Sequence, residues 1–269
     1  MSLPSSDAGV APHAQGSKMK GIPTGVQELD TLIERWQGSD LIIITTQSSA
    51  DQMVLILSIA LTVATTSKQG VGFFSLDMHK YRLVQRLLAM CTGIDLHSLR
   101  TGWISDEEHT LLTATARTLS QAHVWIDDTA LSLVQLRQRV QQLVEAHQIA
   151  LIMVDHPHVM QPSVHGKRHE HRFQELGNIH RSLKAMAKEL NIPVVVFAPL
   201  ACAVGSRHAK RPQHSDSREG APEKAIDHAL FLYRDELSEL GAESKNVVIG
   251  RIMVTKHQNG LVTEVEISI

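Results

Sequence analysis

Leu41-Ile42-Ile43-Ile44-Thr45-Thr46-Gln47-Ser48-Ser49-Ala50-Asp51-Gln52-Met53-Val54-Leu55-Ile56-Leu57 is the stretch on which the reading of this chain turns. It opens with an unbroken aliphatic run of a length that suits a fully buried strand, and closes with an apolar pattern that suits a buried helix. Between the two lies a small polar turn. Strand, tight loop and helix is the layout of a phosphate-binding P-loop, in which backbone N–H groups at the helix start cradle the anion. The side chains of such a loop are missing. A working P-loop reads Gly-Lys-Ser/Thr where this chain has Asp51-Gln52-Met53. The scaffold is legible and the phosphate grip is not.

Working outward, 269 residues with 43% hydrophobic content suffice for one α/β domain with a full core. A formal charge of −2 excludes a generally basic nucleic-acid binder, so any such role must rest on local patches. Cys91 and Cys202 give no disulfide framework, which fits a reducing cytoplasm. No signal peptide is legible, and the apolar runs near 55–64 and 193–200 are too short for a membrane span. Residues 1–20, rich in Ser, Pro, Ala and Gly, read as a flexible arm ahead of a single domain over 21–269.

Along that domain, Val26, Leu29, Leu32 and Ile33 mark one face of a short helix after the turn Gly21-Ile22-Pro23-Thr24-Gly25. Strands are expected at Gly72–Leu76, Val124–Ile126, Ala150–Asp155 and Pro193–Ala198, with helices between them. Two of those helices carry capping boxes, Ser105 with Glu108 and Ser132 with Gln135. Alternating strands and helices imply a parallel sheet, with Leu41–Thr45 and Leu151–Val154 expected as neighbouring inner strands. The C-terminal part changes character. Leu230–Tyr233, Val247–Val254 and Val262–Ile267 read as strands without helices between them, the last two joined as a hairpin at Asn259-Gly260.

Distributed motifs then carry a resemblance. They are Gly21-Ile22-Pro23-Thr24-Gly25 with Leu29-Asp30; Phe73-Phe74-Ser75-Leu76-Asp77-Met78; Leu99-Arg100-Thr101-Gly102; Ile126-Asp127-Asp128-Thr129; Arg181-Ser182-Leu183-Lys184; Lys210-Arg211-Pro212; and Phe231-Leu232-Tyr233-Arg234-Asp235. In this order and spacing the chain resembles the C-terminal motor domain of DnaB-type replicative DNA helicases, from about residue 20 to the end. That family's N-terminal collar domain has no counterpart in the match. The resemblance implies a RecA-like P-loop NTPase fold, α/β, with a mostly parallel central sheet flanked by helices and a C-terminal β-hairpin.

Position by position, the resemblance also implies an eroded catalytic set. The nucleotide loop falls on Gln47, Ser48, Ser49, Ala50, Asp51, Gln52 and Met53, where the family's phosphate-binding Lys becomes Gln52 and its Mg²⁺-binding Thr becomes Met53. The family's water-activating Glu is the shorter Asp77, and its Walker B acid remains as Asp155. Its γ-phosphate-sensing Gln is replaced by Pro199. Of its trans-acting Lys-x-Arg pair, Lys256 remains and Gln258 stands for the Arg. Each survivor also has a purely structural use. Asp77 is a candidate helix N-cap, Asp155 a partner for loop amides, and Lys256 a solvated strand-end lysine.

The expectation is therefore a catalytically degenerate motor domain that acts through DNA binding or assembly, with no cofactor. The alternative is a helicase ATPase that still binds ATP and Mg²⁺ weakly. Ser48, Ser49 and Asp51 are all good capping residues. The loop is thus expected to cap its own anion site with one of their oxygens on a first-turn amide. For single-stranded DNA the candidates are Lys167, Arg168, Arg207, Lys210 and Arg211, in two basic segments after strands. The expected partners are single-stranded DNA, a second copy or a helicase-like subunit, with no membrane. Among the sixteen histidines, His165, His169 and His171 lie close together, as do His156 and His158, but no cysteine joins them. The spacing matches no structural zinc pattern, and no metal site is expected.

Overall fold

The computed structural model describes residues 20–46, 48–129, 132–157, 160, 170–199, 225–233, 249–256 and 263–268. In chain order these form α1 (Gln27–Leu32), β1 (Leu41–Thr46), α2 (Ser49–Leu61, continued by a π-helical turn Thr62–Thr66), β2 (Gly70–Ser75), α3 (Lys80–Thr92), α4 (Leu96–Thr101) and α5 (Asp106–Ser120). Then follow β3 (Val124–Asp127), α6 (Leu133–Ala146), β4 (Ile149–Asp155), α7 (Glu170–Leu190), β5 (Val194–Pro199), β6 (His228–Tyr233), β7 (Ile249–Lys256) and β8 (Thr263–Ser268).

The eight strands make one sheet in the order β3-β2-β4-β5-β1-β6-β7-β8. Pairings from β3 through β6 are parallel, and β7 and β8 close the sheet as antiparallel strands, with Val254 opposite Thr263. The turn expected at Asn259-Gly260 lies outside the described residues. One expectation is corrected. β1 and β4 share the sheet, but β5 lies between them and pairs with each. All three are buried, mainly aliphatic runs, and nothing in their composition ranks them as neighbours.

The period of two in these strands divides the core into two faces. Ile42, Ile44, Leu151, Met153, Val195 and Phe197 pack with α2 and α3 through Ile56, Leu57 and Leu83. Leu41, Ile43, Ile152, Val154, Val194 and Val196 pack with α6 and α7 through Leu136, Val140, Leu183 and Met186. A strand buried on both faces has no polar side to show, which is why β1 lacks alternation. The helix Ser49–Thr66 is apolar and long enough to cross a bilayer by length and composition, but here it is 56% buried and shares a core cluster with the sheet and α3.

Both capping boxes form. Ser105 Oγ accepts from the Glu108 amide at 3.2 Å, and Ser132 Oγ from the Gln135 amide at 3.4 Å. The short α4 has no counterpart among the expected helices, although Asp95 caps it by accepting from the Ser98 amide at 3.0 Å. The turn before α1 also has a structural role. Gly25 has φ +91°, and a Cβ there would lie 2.7 Å from Thr62 Oγ1, so glycine is required where the turn meets the end of the core helix.

Candidate nucleotide site

The strand-to-helix turn after β1 lies at the C-terminal edge of the parallel strands, where α/β sheets hold their ligands. Ser48 is the N-cap of α2 in extended conformation. Its Oγ accepts from the Asp51 amide at 3.3 Å, and its carbonyl accepts from the Gln52 amide at 3.0 Å. The expected capping oxygen is thus that of Ser48. Ser49 and Ala50 are exposed, while Asp51, Gln52 and Met53 are buried. Gln47 lies outside the described residues.

Gln52, which takes the place of the family's lysine, turns inward. Its Nε2 donates to Asp155 Oδ1 at 3.3 Å, and its Oε1 accepts from the Thr46 hydroxyl at 3.0 Å. The same hydroxyl lies 3.1 Å from the Ser48 carbonyl, so its one proton is shared between two acceptors. Asp155, the last residue of β4, is almost wholly buried. His156 follows it with φ +58°, a left-handed backbone rare for a residue with a Cβ. The His156 amide donates to the Phe197 carbonyl at 3.0 Å, and its Nδ1 sits 2.7 Å from Asp155 Oδ1. A buried carboxylate is costly unless it is hydrogen-bonded, and Gln52 and His156 both engage its Oδ1.

Met53, where the resemblance implies a magnesium ligand, belongs to the same buried cluster as Ile56 and Phe197. Pro199, where the resemblance implies a γ-phosphate-sensing residue, ends β5 directly opposite Thr46. Proline has no side-chain donor to offer there. Asp77 is exposed in the bend after β2 and does not cap α3, correcting that structural expectation. His79 is the N-cap, through Nδ1. Lys256 ends β7 opposite Ala229. Its side chain, Gln258 and the five basic candidates Lys167, Arg168, Arg207, Lys210 and Arg211 lie outside the described residues.

Two participants escaped the sequence reading. Thr46 reads there as no more than the end of a strand, and His156 only as part of a His-x-His pair. A polar residue closing an otherwise aliphatic strand at the loop is the one available signal for Thr46.

A doubly covered sheet whose central strand runs through a capped turn into a buried helix, with an acidic residue ending a nearby strand on the same edge, defines a RecA-like P-loop motor fold. Within that class the chain belongs to the DnaB-like helicase C-terminal domain family, whose model matches residues 21–269. The replicative DNA helicase DnaB of Geobacillus stearothermophilus is 37% identical over 258 residues, covering 95% of this chain and 56% of that protein. Among solved structures, an ATPase domain superposes with TM-score 0.82 at 26% identity, covering 92% of this chain and 87% of that one. A DnaB-like replicative helicase solved for its interactions with primase gives TM-score 0.81 at 26% identity, over 92% of this chain and 59% of that one. The chain spans about half the length of the curated relatives it matches.

Proposed function

We propose that this chain serves DNA replication as a motor-domain relative that does not turn over nucleotide. It acts by holding single-stranded DNA, or by assembling with itself or a helicase-like subunit. The observation that carries this reading is the Gln52 side chain, bonded to Thr46 and Asp155 where a working loop has a cation. A neutral amide supplies no charge to phosphate, and Met53 supplies no hard oxygen to Mg²⁺. Asp51 adds repulsion. A carboxylate about 4 Å from a phosphate costs roughly 4 kcal/mol at an effective dielectric near 20. Mg-ATP does not fit this residue set, and the Asp51 and Gln52 amides of the loop already donate to Ser48.

Titration calorimetry of the purified chain with Mg-ATP tests this directly. The expected result is no measurable binding up to millimolar nucleotide. A micromolar dissociation constant would instead establish the second reading, a helicase ATPase with residual affinity.

DNA holding rests on the two basic segments and on charge. Affinity for a single-stranded oligonucleotide is expected to fall steeply with salt. Replacing Lys167, Arg168, Arg207, Lys210 and Arg211 together with Ala should then reduce the log–log salt slope by up to about 3.5, roughly 0.7 for each phosphate no longer neutralised. An unchanged slope in that variant removes these residues from the interface.

A further inference from the structure

The sheet edge that carries the degenerate loop also carries an exposed aromatic stack that the reading above does not use. β2 ends at Ser75, the register partner of Asp155, and His79 follows four residues later as the cap of α3. The His79 and Tyr81 rings are stacked, with centroids 5.3 Å apart and planes within 8°. Tyr81 is 72% exposed, and the His79 side chain is 60% exposed.

Single exposed aromatics are common on protein surfaces. This one stands on a fixed support. His79 Nδ1 accepts from the Tyr81 amide at 3.4 Å, and its Nε2 lies 3.3 Å from Asp128 Oδ2, an arrangement that assigns the ring proton to Nε2. The Lys80 amide donates to the same carboxylate at 3.0 Å and holds the Asp128 carboxyl below its usual range. The imidazole is therefore pinned at both nitrogens, and the tyrosine rests on it. A ring already placed loses little freedom when a ligand stacks on its open face. Lys80 and Arg82, both exposed, flank Tyr81 in the chain; the Lys80 ammonium lies 3.8 Å from Asp128 Oδ1, while Arg82 makes no ion pair among the described residues.

We infer that the His79–Tyr81 stack is a landing platform for one base of a single-stranded nucleic acid, with Arg82 attracting a flanking phosphate. An exposed π-face with a cation one residue away suits a single strand, in which base and phosphate alternate, and stacking of this kind tolerates any base. The inference rests on the DNA-holding half of the proposed function, but on residues separate from the two basic segments.

Fluorescence anisotropy with a labelled twelve-residue oligothymidylate and its abasic counterpart tests it on the whole chain. Tyr81→Ala is expected to weaken oligothymidylate binding by about 5- to 150-fold, the range that stacking of one base carries, while Tyr81→Phe stays within about twofold of the parent. The abasic strand should bind more weakly and be indifferent to Tyr81→Ala. Free thymidine monophosphate should not compete at millimolar concentration, because one base without a strand lacks the phosphate contacts. Competition by the monophosphate, or equal weakening on both strands, overturns the platform. If Tyr81→Ala binds like the parent while the five-fold basic variant loses affinity, the platform falls and the DNA-holding function stands. If the parent binds neither strand, both fall together, and the stack is left as a surface for a protein partner.

Discussion

Replacing Asp51→Gly, Gln52→Lys and Met53→Thr together is expected to raise affinity for Mg-ATP by more than about a thousandfold, while turnover stays near zero. The first change removes a carboxylate repulsion of roughly 4 kcal/mol, which alone corresponds to about three decades. The second puts an ammonium where an amide now bridges Thr46 and Asp155, and the third brings a hydroxyl oxygen for the metal. The backbone needs no rebuilding, because Ser48 already starts α2 as a capped turn at the end of β1. Turnover should not follow. Pro199 has no side-chain donor for a γ-phosphate, and Gln258 stands where the resemblance implies an arginine finger, a group worth on the order of 10³–10⁵ in rate. The single changes separate the causes. Gln52→Lys alone retains Asp51 and should gain little. Asp51→Gly alone removes the repulsion but leaves the amide bridge in place. Calorimetry on the three variants reads this out. A folded triple variant with no gain would place the block elsewhere than in these three side chains.

The loop shows which parts of a site a sequence displays. β1, β4 and β5 are visible as runs because strands buried on two faces are apolar almost throughout. Both capping boxes are visible because they are local, with every partner within three residues. Strand order is not visible, since Ile43, Val154 and Val196 present the same chemistry to the same face. The Gln52–Asp155 bond joins residues 103 positions apart through a neutral side chain, and no motif announces it. The sequence displays a glutamine where the resemblance implies a lysine. Only the fold displays what the replacement does, which is to tie the loop to the carboxylate. His79 as a helix cap escapes the sequence for a related reason. Ser, Thr, Asp and Asn lead at that position, and Asp77 two residues earlier is the stronger local candidate.

Below about pH 6.5 the chain is expected to lose stability through one buried histidine. His180 lies on α7 among the residues that pack on the sheet, and is 1% exposed. Neither ring nitrogen has a hydrogen-bond partner among the described residues. The backbone of Leu176, one turn earlier, is near enough to oppose the shift weakly but not at hydrogen-bond geometry. Burial pushes the His180 imidazole down from 6.5 to about 4. Above pH 6.5 the ring is neutral in folded and unfolded chain alike and adds no pH dependence. As pH falls from 6.5 towards 4 the unfolded chain takes up a proton that the folded chain refuses, so stability drops. Linkage puts the loss at about 2 kcal/mol by pH 5. His180→Leu keeps an apolar side chain of similar size and removes both the titration and two buried polar atoms. Urea unfolding at pH 7.5 and pH 5 should show the parent losing about 2 kcal/mol more than the variant between the two conditions. The variant should be at least as stable as the parent at pH 7.5, since no hydrogen bond is broken. Every other group is common to parent and variant and cancels in the comparison. Equal losses in parent and variant would mean that the ring is hydrated or paired in solution, and that the packing of α7 on the sheet admits a charge.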